Sequence, residues 1–159
     1  MTQELEFASV EIATLWGYLC QTMDRMTAVA EEVTPAELHW QPPAPDTNSI
    51  AVLIVHTLGN IDENLISALA GGTFERNRDA EFVERELTGT ELTGQWHALR
   101  GRLERALAPM QAEVLPETRY HPRRGTITGR DLLLVALTHA REHLGQAELT
   151  RDLARAASS

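Results

Sequence analysis

The chain contains no lysine, and all fourteen of its basic residues are arginine. Schiff-base chemistry and phosphate-binding P-loops both need a lysine amine, so both are excluded. Cysteine is nearly absent as well. The single Cys20 admits no internal disulfide, which fits a reducing compartment, and its place in an apolar helical pattern makes it a small core residue. Aromatic residues make up 5% of the sequence, leaving aliphatic side chains to build the core. The longest apolar runs, Ile50–Val55 and Leu132–Leu137, fall far short of the ~20 residues needed to span a bilayer. The N-terminus carries Glu4 and Glu6 without the basic stretch of a signal peptide, so the cytoplasm is the expected location.

Positive charge is scarce. The net charge of -9 and the pI near 5.1 work against nucleic acid and anionic lipid, since binding either begins with a basic patch. Arg119, Arg123, Arg124 and Arg130 are the one dense basic group and read as a solvated or ion-paired surface. At 159 residues, 43% hydrophobic and 23% charged, the chain is expected to form one ordinary globular domain over 1–159. That length buries about two thirds of the unfolded surface without help from a disulfide.

What is present is helical periodicity. From about Glu4 to Val33, apolar residues including Val10, Leu15, Leu19, Met23, Met26 and Ala30 recur every three to four positions, the period of an amphipathic helix. Thr34-Pro35-Ala36-Glu37 marks a short capped turn. Trp40-Gln41-Pro42-Pro43-Ala44-Pro45 is then held extended by its prolines. A second helix is expected over Ile50–Ala70, capped by Asn48 or Ser49 and stopped by Gly71-Gly72. Thr73 to Gly89 is polar and weakly patterned, a connection long enough to cross to a non-adjacent position. Thr90 reads as the cap of a third helix whose end Pro109 and Pro116 bracket, with Leu92, Trp96, Leu99, Leu103 and Leu107 on one stripe. After a loop from Pro116 to Thr128, Thr128 caps a fourth helix running to about Ala154. Four long helices, no strand pattern and no repeat give an all-α bundle.

The fourth helix sets His139 and His143 on its inward stripe with Leu132, Val135, Ala136 and Ala147, because residues three and four apart share a helix face. Two such imidazoles either hydrogen-bond to neighbouring helices or share one divalent metal. His56 borders the apolar face of the second helix and by itself reads as a core or boundary residue. His97 adjoins the stripe of the third helix and reads as surface or boundary.

Taken together, Trp40-x-Pro42, Asn48-Ser49-Ile50 leading into a helix with His56, and His139-x-x-x-His143-x-Gly145-Gln146 resemble the DinB/YfiT-like superfamily. The resemblance covers nearly the whole chain. It implies a four-helix bundle of up-down-down-up course with the long crossover between helices 2 and 3, frequent homodimers, and a divalent metal on His56, His139 and His143. Asn60, Glu142 and Gln146 are the candidates to receive the second nitrogens of those rings.

Three neutral imidazoles leave a divalent ion its full charge and an open position, where a water or thiol loses its proton near neutral pH. Zinc, nickel, iron and copper all suit nitrogen ligands. Relatives with assigned reactions include transferases and isomerases that use low-molecular-weight thiols. The resemblance therefore implies a metal-dependent enzyme of the thiol S-transferase type acting on a small molecule, or a hydrolase, with Arg123, Arg124 or Arg141 available to meet a carboxylate. Two other readings stand beside it. A non-enzymatic, stress-related dimer that binds metal or ligand keeps the same site without turnover. His139-Ala140-Arg141-Glu142-His143 also matches H-x-x-E-H, an inverted zinc-peptidase motif with the glutamate as base, although the residues after His143 offer only Glu148 and Asp152 as further carboxylates.

Overall fold

The structure, a computed structural model, describes residues 6–73, 75–83 and 86–158. Among them it is mostly helical: α1 (Val10–Glu31), α2 (Pro35–Leu38), α3 (Ile50–Ile61), α4 (Arg78–Glu81), α5 (Gly89–Leu107) and α6 (Gly129–Ala157). Between α5 and α6 lies a small antiparallel hairpin, β1 (Thr118–His121) and β2 (Gly125–Thr128), in the register Thr118↔Thr128 to His121↔Gly125. No helix of the described residues is long and apolar enough to cross a membrane.

Each long helix starts where a side-chain oxygen meets an amide that the helix itself leaves unpaired. Ser9 accepts from the Ile12 amide, Ser49 from Val52, Thr88 from Glu91 and Thr128 from Asp131. The cap of α5 is thus Thr88 and not Thr90, because Glu91 reaches back to the Thr88 amide and closes a capping box. Residues 6–9 are non-helical, and the helix start expected near Glu4 lies outside the described residues. Helix α6 runs to Ala157, a turn beyond the expected end.

The core is aliphatic, as the scarcity of aromatics requires. Ile12, Met23 and Met26 from α1, Ile54 and Ile61 from α3, Leu103 from α5 and Leu132 and Ala136 from α6 are all fully buried. One aromatic pair joins α1 to α5: Trp16 and Trp96 have ring centroids 6.1 Å apart, and the Trp96 indole donates to Asp24 at 2.7 Å. Surface pairs give the helix directions. Glu11 binds Arg130 and Arg25 binds Glu148, so α1 and α6 run in the same sense. The Ala8 amide meets the Ala108 carbonyl while Asp24 meets Arg100, so α5 runs against α1. Leu69 packs beside Gly129 while His56 approaches His143, so the second long helix runs against α6.

Two elements depart from the sequence expectation. The helix expected over Ile50–Ala70 is α-helical only to Ile61, and Asp62–Leu69 forms a π-helix. Its wider turn keeps Asp62, Glu63 and Asn64 buried at 7%, 4% and 0% exposure, and all three have partners: Arg102 binds Asp62, Arg76 binds Glu63 and the Asn64 amide donates to the Asn60 carbonyl. The apolar spacing of Leu65, Ile66 and Leu69 gives no hint of it. The hairpin was expected as loop. Its strands are four residues long and their inward positions are not apolar in β1, so no period of two stands out, and the turn depends on Gly125, whose φ of 70° suits glycine.

Trp96→Ala removes both the aromatic contact and the bond to Asp24, and is expected to lower the unfolding free energy by ~3–5 kcal/mol. Thr88→Ala should cost about 1 kcal/mol and Thr90→Ala close to nothing, all read from urea denaturation midpoints; a Thr90 effect as large as that of Thr88 would contradict the cap.

Candidate metal centre

The antiparallel pairing of α3 with α6 brings His56 onto the His139–His143 pair. Nε2 of His139 is 3.1 Å from Nε2 of His56 and 3.1 Å from Nε2 of His143. All three nitrogens lie within 4.8 Å of one another. His56 is buried and the other two rings are half-buried. Three nitrogens thus converge on one point while the three Nδ1 atoms face outward.

What the outward atoms meet decides where the hydrogens sit. Nδ1 of His56 is 2.8 Å from Glu81 Oε2. A carboxylate only accepts, so Nδ1 donates and Nε2 keeps its lone pair. Nδ1 of His143 is 2.6 Å from the amide oxygen of Gln146, with the same consequence. His139 therefore faces two lone pairs with at most one hydrogen to offer, and its own Nδ1 is buried without a hydrogen-bond partner. Protonation does not relieve the conflict: burial first, then the neighbouring imidazoles, push His139 down to about 3. His143 is lowered as well, mainly by burial. A cation at the point of convergence would take a lone pair from each of His56, His139 and His143. The donor set of three neutral imidazoles from two helices fits a divalent ion of the zinc, nickel or iron kind.

Glu81 comes from α4, in the crossover. Arg76 holds it along one edge of the guanidinium, Nε to Oε1 at 2.6 Å and Nη2 to Oε2 at 2.7 Å, and Nη2 also lies 3.2 Å from the His56 carbonyl oxygen and 3.2 Å from His56 Nδ1. Burial alone would raise the Glu81 pKa; the hydrogen bonds from His56 and Arg76 outweigh it and keep the carboxyl below its usual range. Glycine makes room for this approach. A Cβ on Gly59 would lie 2.1 Å from Glu81 Oε1 and 3.1 Å from Arg76 Nε. Phe82 then covers His56, with ring centroids 4.8 Å apart.

Of the residues singled out in the sequence, His56, His139 and His143 meet, and Gln146 bonds to His143. Asn60 instead accepts from the side-chain amide of Asn64, at its carbonyl and its Oδ1. Glu142, Arg141, Arg124 and His97 are exposed, and Arg123 binds Glu63. The two carboxylates after His143 are engaged elsewhere, Glu148 with Arg25 and Asp152 with Arg151; the third imidazole comes from far upstream, unlike the peptidase arrangement. Glu81 and Arg76 escaped the sequence reading because the crossover is dense in charge. The available signal was Gly59, a glycine inside a helix, which costs about 1 kcal/mol and marks a close approach.

The family model described as the DinB superfamily matches residues 18–147, a span that contains His56, Glu81, His139, His143 and Gln146. A solved structure, that of a conserved protein from Enterococcus faecalis, superposes with a TM-score of 0.69 at 20% identity, over 91% of this chain and 96% of that one. At that identity the likeness is one of fold. No curated protein matches the chain.

Gly59→Ala should push Glu81 away from His56 and weaken divalent-metal binding about 10-fold, measured by chelator competition; unchanged affinity would show that the carboxylate does not matter to the ring. In metal-free protein the unfolded chain takes up protons on the helical pair before the folded one does. Stability is therefore fully present above pH 6.5 and lost as pH falls from there toward about 3. Urea midpoints should fall across that window, with a shallower slope in His139→Gln; equal slopes would refute the assignment.

Proposed function

The chain belongs to the DinB superfamily, and from that membership and the geometry of its histidines we propose a divalent-metal-dependent enzyme of the low-molecular-weight-thiol S-transferase type. His56, His139 and His143 are the proposed ligands. The observation that carries this reading is the convergence of three Nε2 atoms, two of them stripped of hydrogen by partners outside the cluster. When bound, such a cation lowers the pKa of a water or thiol at its open position.

The residues around it have roles that follow from their contacts. Glu81 makes His56 a stronger donor and fixes its ring, as a carboxylate behind a ligating histidine does, and Gln146 holds the ring of His143. Phe82 lies against His56 and limits water on that side. Cys20 takes no part: it is 7% exposed, and burial pushes its thiol up to about 12, so a sulfur nucleophile has to come from a small molecule.

The proposal includes the architecture. The helix senses described above support a four-helix bundle of up-down-down-up course, with the segment between Leu69 and Gly89 as the crossover. It also includes a single domain over 1–159, a homodimeric state, a cytoplasmic setting and a small-molecule substrate. The net charge of -9 supports a partner other than nucleic acid or anionic membrane.

Elemental analysis of protein prepared without an affinity tag is expected to find a stoichiometric divalent metal. His56→Ala and His143→Ala should stay helical by circular dichroism and lose most of it. Full occupancy in His56→Ala would break the triad. A cobalt-loaded sample whose spectrum changes neither between about pH 6 and 9 nor on adding a small thiol would leave the non-enzymatic binding protein as the function.

A further inference from the structure

Glu63 is nearly buried in the π-helix and is met from two sides. Arg76 Nη1 donates to it at 3.3 Å, and the guanidinium of Arg123 binds the same oxygen. His121, 1% exposed, stands 3.4 Å away. Arg123 belongs to the hairpin turn, and its backbone amide donates to Nδ1 of His121 at 3.1 Å. That bond leaves the His121 hydrogen on Nε2, the atom facing Glu63. Two carboxylates, Glu63 and Glu81, therefore balance two guanidiniums, Arg76 and Arg123, beside the metal centre.

Arg76 is the shared member. Its Nη1 binds Glu63; its Nε and Nη2 bind Glu81, and Nη2 also touches His56 itself. A guanidinium is a rigid planar fork, so the carboxylates on its edges set its plane together. Moving Glu63 tilts Arg76 and with it the carboxylate that orients His56. Glu63 is offered inward by the π-helix, and Arg123 is the hairpin's grip on it.

We propose that the hairpin turn positions the metal ligand: Arg123, acting through Glu63 and Arg76, keeps Glu81 on Nδ1 of His56, so that the cation affinity of the triad depends on a residue that hydrogen-bonds to none of the three imidazoles. Arg123 is a positioning residue. This inference rests on the metal reading above for its affinity readout, and on the side-chain network alone for its effect on His56.

The test compares Arg123→Ala, Arg123→Lys, Glu81→Gln and the double variant Arg123→Ala/Glu81→Gln in the full chain, with Arg119→Ala as control because Arg119 pairs with Glu117 within the same hairpin segment. Zinc affinity is measured by chelator competition, and 15N resonances of the His56 ring are recorded on metal-free protein. Arg123→Ala is expected to weaken zinc about 10-fold and to move the His56 ring from one Nδ1–H tautomer toward a mixture. Arg123→Lys, which keeps the charge without the fork, should recover part of the loss, and Arg119→Ala should match the parent. The double variant should be no weaker than Glu81→Gln alone, because both act through one contact. Wild-type ring signals and zinc affinity in Arg123→Ala, or losses that multiply in the double variant, would overturn the proposal. If the parent chain binds no zinc, the metal reading fails by itself, and the His56 ring signals still decide whether Arg123 positions it.

Discussion

Lone pairs repel, and this molecule is built to point two of them at a third imidazole that has at most one hydrogen to share between them. The crossing of α3 and α6 places His56 against His139 and His143, and the outer partners Glu81 and Gln146 draw the hydrogens of His56 and His143 away from the cluster, so that His139 can satisfy only one of the two. Burial closes the other escape by keeping His139 unprotonated. An arrangement that is unfavourable for the protein alone is favourable around a positive ion. The aliphatic core on either side keeps the two helices from drifting apart to relieve it.

The second constraint is electrostatic. Arg76, Glu81 and Glu63 have side chains that are 2%, 8% and 5% exposed, and withdrawing such charges from water is costly unless every one is paired. They are paired so closely that each depends on the others: Arg76 bridges both carboxylates, and losing one partner leaves a charge stranded. That mutual dependence gives the crossover a defined place despite its single short helix α4. It also explains the π-helix and the glycine beside it. The wide turn delivers Glu63 to the network, and Gly59 admits Glu81 from above.

Much of this was legible in the sequence. Asn48 or Ser49 and Thr128 announce two helix starts, the i, i+4 histidines announce a shared face, and only the family resemblance carried by the full set of motifs adds His56 to them. What was hidden shares a cause. The sequence points to Thr90 rather than Thr88 because the capping box depends on Glu91 folding back, a contact that apolar spacing does not display. β1 alternates in burial, but its inward positions are Arg119 and His121 while Tyr120 faces out, so the sequence shows no apolar period of two. Glu81 is one acidic residue among several in a charged stretch, and nothing local separates the one that meets His56 from those that meet solvent. Long-range partners select these residues, and a single chain read in order does not display them.

Cys20 sits on the inner face of α1, among packed side chains and remote from ionisation at ordinary pH. Exchange with a disulfide requires a thiolate that can reach it. A chain with this one sealed thiol offers nothing for oxidised small thiols to couple to, so a shift to oxidising conditions gives it neither a mixed disulfide nor a cross-link to a second copy of itself.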